Sequence, residues 1–154
     1  MPADSEALDK IDREILAILA DDARIGWTEL GARVHLSPNA AADRVRRLRR
    51  IGVIRRFTIE LDQARLGRTL EAVIDVRVSD VARFQTGAAE RPEVQWMAYL
   101  TGRTDFQVHV ACDGTAGLNA LLSHFRDELS ATETFTTVVL EQIPVSTGRA
   151  RVAR

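Results

Sequence analysis

The chain has little of several residue types and patterns that mark particular classes of protein. Its single cysteine, Cys112, excludes an internal disulfide and a metal cluster built from cysteines. Its longest apolar runs are too short to cross a bilayer, so no membrane partner is expected. Its acidic first residues lack the apolar core of a signal peptide. Together these absences predict a cytoplasmic protein.

Patterns typical of enzymes are also missing from the sequence. It has no glycine-rich phosphate loop, no paired catalytic carboxylates and no Ser/His/Asp arrangement. The three histidines, His35, His109 and His124, are too scattered for metal-ligand spacing. The sequence therefore predicts a protein that is not an enzyme and that carries neither a cofactor nor a metal.

A helix start followed by a dense run of arginines stands out among what is present. Ser37 is a good N-cap, because its hydroxyl can accept a backbone N–H, and Pro38 suits the first helical position. From Arg44 to Arg56, seven arginines lie within thirteen positions. The apolar face of the predicted helix is formed by Ala41, Val45 and Leu48.

Segments on either side of this helix predict a winged helix-turn-helix over residues 1–62. Apolar residues at helical spacing predict a first helix over roughly residues 9–21, and a second helix begins at Thr28. Gly31 in the second helix permits close approach to a neighbour. A tight turn at residues 35–37 leads into the basic helix, and an apolar run over residues 53–61 predicts a short β-wing.

The arginine run has two interpretations, a solvated helix face or a surface for nucleic acid. A face that is merely soluble tends to mix acids with bases, whereas no carboxylate lies between Arg44 and Arg56. The acids of the first 62 residues lie mostly before Glu29. This separation presents a positive face to phosphate, although the net charge of the chain is −1. We therefore expect double-stranded DNA as a partner, bound with an affinity that falls as salt rises.

After a predicted hinge at residues 63–69, the pattern becomes that of a second domain over residues 70–154. Strands and helices are predicted in the order βαββαβ, the ferredoxin-like plait, which makes the whole chain α+β. The predicted elements are strand 70–78, helix 81–90, strands 94–100 and 106–111, helix 118–129 and strand 134–143. This fold hosts many functions, so its topology alone does not name one.

Three segments carry a resemblance to a known family. They are LDKIDREILAILADDAR (8–24), LSPNAAADRVRRLRRIGVI (36–54) and the loop TGRTDF (101–106). With these motifs in this order, the chain resembles the Lrp/AsnC family of leucine-responsive, or feast/famine, transcriptional regulators. The resemblance implies an N-terminal winged helix-turn-helix and a C-terminal amino-acid-binding domain. It also implies a homodimer that assembles further, often to an octamer, with an amino-acid effector lodged between dimers.

The resemblance places one set of residues on the face that meets DNA. Asn39 suits an adenine edge, with support of the helix start as its alternative role, and Arg44 or Arg47 suits guanine or phosphate. Asp43 either accepts from a cytosine amino group or makes a salt bridge with Arg46 or Arg47. The full set is Ser37, Asn39, Ala40, Asp43, Arg44, Arg46, Arg47 and Arg50.

The resemblance assigns a second set of residues to the amino-acid effector. Asp105 can accept from its ammonium group, and backbone N–H groups from Gly102 to Thr104 can donate to its carboxylate. Arg103 and Tyr99 are expected to select its side chain. The alternative is that Gly102 and Asp105 only shape a hairpin turn. The full set is Tyr99, Thr101, Gly102, Arg103, Thr104 and Asp105, with Thr134 and Thr136 from a neighbouring subunit.

These features predict a sequence-specific DNA-binding regulator, associated with the nucleoid, whose assembly or DNA affinity responds to an amino acid or a related metabolite. Two alternatives stay open. A siroheme-type decarboxylase resembling the same family would need His and Arg around a large tetrapyrrole cavity instead of a basic DNA face. An effector-independent architectural DNA-binding protein would ignore amino acids and discriminate little between DNA sequences.

Overall fold

The computed structural model describes residues 7–143, which divide into two compact units. Within this range the first unit ends at Glu60 and the second runs from Leu61 to Ile143. The two predicted domains extend to positions 1 and 154, so their outermost residues lie outside the described range. None of the helices in this range is long and apolar enough to cross a membrane.

The first unit contains three helices, because apolar side chains recur at helical spacing in three successive segments. A capping box starts the first of them: the Asp12 N–H donates to Asp9 Oδ1 (2.7 Å), and the Asp9 N–H donates to Asp12 Oδ2 (3.2 Å). The helices are α1 (Lys10–Asp21), α2 (Trp27–Arg33) and α3 (Pro38–Arg50). Their buried faces meet in a core of Ile15, Leu19, Ile25, Leu30, Val34, Ala41, Val45 and Leu48.

The turn between α2 and α3 is tight and depends on two backbone features. His35 adopts a left-handed conformation with a φ of +57°. Gly31 lies so close to the turn that a Cβ there would be 2.7 Å from the carbonyl oxygen of Leu36. A larger residue would push the turn away from α2, so the predicted close approach is confirmed.

The predicted β-wing differs from the structure. Residues 53–62 form no strand in the part of the chain that the structure describes. A strand needs a neighbour that takes up its backbone N–H and C=O groups, and the described residues of the first unit supply none. Val53, Phe57 and Ile59 on this segment are exposed.

The second unit is a four-stranded antiparallel sheet with two helices, and it confirms the predicted βαββαβ order. A single 3-10 turn, Ala64–Leu66, precedes it within the predicted hinge. The strand order in the sheet is second, third, first, fourth, and every neighbouring pair is antiparallel. The elements are β1 (Leu70–Val78), α4 (Val81–Ala89), β2 (Val94–Tyr99), β3 (Phe106–Cys112), α5 (Thr115–Asp127) and β4 (Ala131–Val138).

Alternating residues of the inner strands fill the core of this unit. Ala72, Ile74 and Val76 of β1 are fully buried, as the alternation in the sequence predicts. Three phenylalanines complete the core: the Phe84 ring lies 4.9 Å from that of Phe106 and 5.0 Å from that of Phe125. Burying each such ring contributes about 1.5–3 kcal/mol, so the helices are held firmly against the sheet.

Two predicted boundaries are wrong by several residues. The last strand runs over Ala131–Val138 instead of 134–143, because its partner β1 ends the pairing: Val138 lies opposite Ala72, and the Val139 N–H donates to Glu71 O (2.9 Å). Helix α5 begins at Thr115 instead of 118. Gly114, with a φ of +125°, turns the chain immediately before it.

Candidate nucleic-acid interface and effector loop

Helix α3 begins as the sequence predicts. The Ala40 N–H donates to Ser37 Oγ (3.2 Å), and Pro38 occupies the first turn, where no donor is needed. The helix packs into the core of its unit through Ala41, Val45 and Leu48, all of which are buried. One long side of α3 is therefore fixed against the unit and the opposite side is available to a ligand.

The exposed side of α3 carries a row of polar residues at helical spacing. We name this row the outward stripe, and it consists of Asn39, Asp43, Arg46 and Arg50. Ser37 is exposed at the start of the helix, and Ala40 is half-buried beside the stripe. Together with Ser37 and Ala40, the stripe places six of the eight residues predicted to meet DNA in one region of the surface.

Arg44 and Arg47, the other two, lie against α1 instead. Arg44 Nη1 is 2.5 Å from Asp9 Oδ2 and 2.9 Å from Asp12 Oδ1, and Arg47 Nη2 is 2.5 Å from Asp12 Oδ2. The Asp12 side chain is 0% exposed. A buried carboxylate needs cationic partners, and these two arginines supply them. Both guanidinium groups are paired with Asp9 or Asp12 in this structure, and their contact with DNA stays a prediction.

Within this cluster, the pKa shifts of Asp9 and Arg44 favour the charged forms of these two side chains. A hydrogen bond from the Asp12 backbone N–H and one from Arg44 lower the pKa of Asp9. The hydrogen bonds to Asp9 and Asp12 in turn raise the pKa of Arg44. Two carboxylates on α1 and two guanidinium groups on α3 therefore hold the two helices together.

Within the outward stripe, Asp43 pairs with Arg46. Their Oδ1 and Nη2 atoms are 2.5 Å apart, and both side chains are mostly exposed, at 71% and 69%. Of the alternatives that the sequence leaves open for Asp43, the structure contains this salt bridge. Arg50 makes no ion pair within residues 7–143. Arg49, outside the stripe, lies 5.9 Å from the ring centre of Phe57.

The second candidate site is the loop between β2 and β3, which contains residues 101–105. Gly102 has a φ of +143°, a conformation that favours glycine. Among the described residues, the peptide N–H groups of Gly102, Arg103 and Thr104 donate to no acceptor. Three adjacent unused donors form a suitable surface for a carboxylate.

Asp105 fastens this loop to the end of β1. Its Oδ2 accepts from the Val78 N–H (2.8 Å), and its own N–H donates to Val76 O (2.9 Å). The Asp105 carbonyl oxygen accepts from the Leu100 N–H (2.7 Å), which closes the hairpin. The turn-shaping role that the sequence allows for Asp105 is therefore present, and it occupies one of the two carboxylate oxygens.

Two residues that the sequence analysis did not select, Arg77 and Phe135, contact this loop. Arg77 Nη2 donates to the Arg103 carbonyl oxygen (2.5 Å), and Arg77 Nη1 lies 3.7 Å from Glu133 Oε1. The Arg103 guanidinium lies 5.2 Å from the ring centre of Phe135, close enough for a cation–π contact. In the sequence, the only feature that sets Phe135 apart is its alternation with threonines on the last strand. This pattern gives no indication that Phe135 contacts the loop.

The remaining predicted effector residues lie in the loop itself and on the strands β2 and β4. Tyr99, at the end of β2, is 62% exposed, and its ring centre lies 5.1 Å from that of Phe106. Thr134 and Thr136 flank Phe135 on β4, opposite Val76 and Ile74 of β1. Thr101 is exposed and Thr104 is half-buried.

Two of the three histidines form ordinary side-chain pairs. His109 Nε2 lies 3.1 Å from Glu71 Oε2, and His124 Nδ1 lies 3.2 Å from Glu128 Oε1. Within residues 7–143, no group of three His, Cys, Asp or Glu side chains is arranged to hold a metal ion. Burial raises the pKa of the Cys112 thiol, with smaller contributions from the Glu93 and Asp113 charges.

Comparison with known proteins identifies both halves of the chain. Residues 8–49 match the AsnC-type helix-turn-helix domain, and residues 71–148 match the Lrp/AsnC ligand binding domain. The chain belongs to the Lrp/AsnC family. Among its relatives, the HTH-type transcriptional regulator AldR of Mycolicibacterium smegmatis is 37% identical over 142 residues, covering 88% of this chain and 83% of AldR. The leucine-responsive regulatory protein of Escherichia coli K12 is 32% identical over 145 residues, covering 90% of this chain and 88% of that protein.

Solved Lrp/AsnC structures have the same fold. LrpC of Bacillus subtilis superposes with a TM-score of 0.84 at 26% identity, covering 90% of this chain and 98% of LrpC. An L-Met complex of a transcriptional regulator from Neisseria meningitidis superposes with a TM-score of 0.82 at 26% identity, covering 92% and 96% of the two chains. This Lrp/AsnC protein is a DNA-binding transcriptional regulator with a domain for a small-molecule effector, and its family consists of regulators rather than enzymes.

Proposed function

We propose that this Lrp/AsnC protein reads double-stranded DNA with the outward stripe of α3 and couples that binding to an amino-acid effector. The observation that carries the proposal is the division of α3 into two sides. The side facing α1 is fixed by buried apolar residues and by Asp12, whereas Arg46 and Arg50 face solvent. A rigid helix with an exposed polar and cationic stripe suits the major groove.

The residues of the stripe suit different parts of the DNA. Asn39 lies near the helix start, where an amide can bond to both N6 and N7 of adenine. Arg50 lies in the last turn and is suited to a phosphate. In this proposal Arg44 and Arg47 hold α3 in place, and their charges add to the field of the unit without reaching a base edge.

The proposed assembly is a homodimer that associates further, to an octamer. A dimer presents two α3 helices to half-sites about one helical turn, or 34–36 Å, apart on a pseudo-palindrome. Family membership supports this arrangement, because the resemblance to Lrp/AsnC regulators extends over both domains. A regulator of chromosomal genes acts where the chromosome is, so we place it in the cytoplasm at the nucleoid.

For the effector we propose a free amino acid bound at the loop of residues 101–105. The unused N–H groups of Gly102, Arg103 and Thr104 suit its carboxylate, and Asp105 Oδ1 suits its ammonium group. The Neisseria meningitidis relative was solved with L-methionine, which supports this chemical class. Thr134 and Thr136 would join the site from a neighbouring subunit.

The DNA part of the proposal is tested by removing the two cations of the outward stripe. We expect Arg46→Ala with Arg50→Ala to abolish retention of the protein's own upstream DNA in a mobility-shift assay at physiological salt. Each lost phosphate contact should also reduce the slope of log K against log [salt] by about one. The assay is repeated with and without each amino acid that raises the melting temperature.

A matched control removes two arginines from the other unit. Arg83→Ala with Arg126→Ala deletes the same charge from exposed positions on α4 and α5. This control should keep its DNA binding. Retention of DNA by the Arg46 and Arg50 variant, at the salt where the control binds, would contradict the role of the outward stripe.

A further inference from the structure

We propose that Asp43 is a positioning residue that turns Arg46 into a base-reading side chain, so that the operator carries a guanine at the position Arg46 faces. The inference rests on the proposed function, in which the outward stripe meets DNA. It adds a specificity-determining role for Asp43 and a base identity that follows from it.

The charge of Asp43 is the first reason. Asp43 is the only acid in α3, and it lies on the side of the helix that meets the polyanion. A carboxylate at that place repels phosphates, so it weakens DNA binding that depends on charge alone. Its contribution must therefore lie in orientation or selectivity, and its partner Arg46 shows which side chain it orients.

The direction of the pair is the second reason. Side chains on a helix tilt toward its N-terminus, so Arg46 projects over the turn that carries Asp43. In the free protein the 2.5 Å contact between Arg46 Nη2 and Asp43 Oδ1 places the guanidinium there, and this exposed pair would strengthen when DNA excludes water from it. Helix-turn-helix proteins contact base edges with the N-terminal part of this helix and phosphates with its flanks. The pair therefore keeps Arg46 on the base-reading part.

The remaining donors of Arg46 decide which base is read. A guanidinium has five N–H donors in a planar fork, and the contact with Asp43 uses only Nη2. The donors that are left match guanine O6 and N7, the most common specific contact of arginine. Arg50 differs, because it lies in the last turn and has no carboxylate partner among the described residues to restrain it.

Asp43→Ala should therefore lower the selectivity for the operator and raise the general affinity for DNA. Without its partner, Arg46 is free to reach a phosphate, and a repulsive charge is gone. We expect affinity for random-sequence DNA to rise and the ratio of specific to non-specific affinity to fall by about tenfold, the loss of one bidentate base contact. The salt dependence of non-specific binding should become steeper by about one phosphate contact.

The experiment selects binding sites from a randomised duplex library with the full chain, the Asp43→Ala variant and the Arg46→Ala variant. Binding is then measured on the wild-type consensus and on a copy in which 7-deazaguanine replaces the selected guanine. The replacement removes only the N7 acceptor. Wild type should lose affinity for the modified copy, and both variants should bind the two copies equally.

Glu29→Ala is the matched control. Glu29 and Arg33 form an ion pair on α2 with the same 2.5 Å separation and similar exposure, but outside the outward stripe. This variant changes the net charge as Asp43→Ala does, so it should alter specific and non-specific affinity by the same factor. The double variant of Asp43 and Arg46 should discriminate no worse than Arg46→Ala alone, because Asp43 acts through Arg46.

The outcomes separate this inference from the proposed function. Loss of one guanine preference in Asp43→Ala, with the rest of the consensus kept, supports the inference. An unchanged consensus and ratio in Asp43→Ala would overturn it while leaving sequence-specific regulation intact. Failure of the wild-type chain to enrich any consensus would overturn the proposed function itself, and the positioning role with it.

Discussion

At the scale of single residues, Asp105 has one structural role in the fold and a second, proposed role in effector binding. One carboxylate oxygen accepts from the Val78 N–H and fixes the loop to β1. The other oxygen makes no hydrogen bond within residues 7–143 and is suited to an ammonium group. Truncation of Asp105 would therefore disturb the loop as well as the proposed effector contact, and the two effects would be confused.

Asp105→Asn separates the two roles. The amide keeps an oxygen that can accept from the Val78 N–H, but it removes the negative charge. We expect the melting temperature without effector to change little and the stabilisation by the cognate amino acid to disappear. Differential scanning fluorimetry across the twenty amino acids measures both quantities.

Asp105→Ala provides the comparison for that experiment. It should lower the melting temperature without effector, because the buried side of the loop loses an acceptor for a backbone N–H. An Asp105→Asn protein that keeps the full effector-induced shift would remove this carboxylate from ammonium recognition.

The arginines of α3 show what can be predicted about a residue from a single sequence. Helical spacing correctly predicted that Ala41, Val45 and Leu48 are buried. Helical spacing could not predict which arginines of α3 face solvent and which are paired with α1, because those carboxylate partners lie in another segment of the chain. Asp9 and Asp12 lie in the first segment, three positions apart, and only the packing of α1 on α3 brings them to Arg44.

At the scale of elements, the βαββαβ order was predictable mainly because β1, α4, β3 and α5 each bury an apolar face. The wing and the last strand were less predictable, since a strand ends where its partner ends. β4 stops opposite the first residues of β1, and residues 53–62 have no partner within their described unit. Propensity alone carries no information about such partners.

The attachment of α3 to α1 depends on burial more than on distance. The ion pairs of Asp12 with Arg47 and of Glu29 with Arg33, both in the first unit, have the same 2.5 Å separation. The Asp12 side chain is 0% exposed, whereas that of Glu29 is 59% exposed. Removing one partner of a buried pair leaves uncompensated charge in the interior, and an exposed pair is replaced by water.

We therefore expect Asp12→Ala to lower the free energy of unfolding far more than Glu29→Ala. The expected losses are about 2–3 kcal/mol for Asp12→Ala and about 0.5 kcal/mol or less for Glu29→Ala. The first value lies below the usual cost of breaking a buried pair, because Arg44 and Arg47 are 29% and 26% exposed and can be partly rehydrated. Urea denaturation of the full chain, followed by circular dichroism, measures both values.

Asp12→Asn gives a second measurement for the same element. It keeps an acceptor for the Asp9 N–H, so the start of α1 stays capped while the charge is lost. The free energy of unfolding that Asp12→Asn loses should lie between the losses of Asp12→Ala and Glu29→Ala. Equal losses of unfolding free energy for Asp12→Ala and Glu29→Ala would show that the cluster does not hold α3 in place.

At the scale of the whole molecule, the proposed function divides regulation between the two units. The outward stripe belongs to the first unit, and the loop of residues 101–105, the proposed effector site, belongs to the second. An effector can change DNA affinity only if it binds one assembly or conformation more tightly than another. A shift of DNA affinity by about five- to 150-fold corresponds to the usual coupling of 1–3 kcal/mol.

This division predicts that two sets of variants fail in opposite ways. The Arg46 and Arg50 double variant should lose DNA but still change its sedimentation in analytical ultracentrifugation when the cognate amino acid is added. Asp105→Asn should keep DNA binding at the level of the effector-free protein and lose the change in sedimentation. An amino acid that raises the melting temperature of the wild-type chain, yet alters neither its sedimentation nor its DNA affinity, would contradict coupling between the two sites. That result would leave an architectural DNA-binding protein as the better description, since such a protein needs no second state for the effector to select.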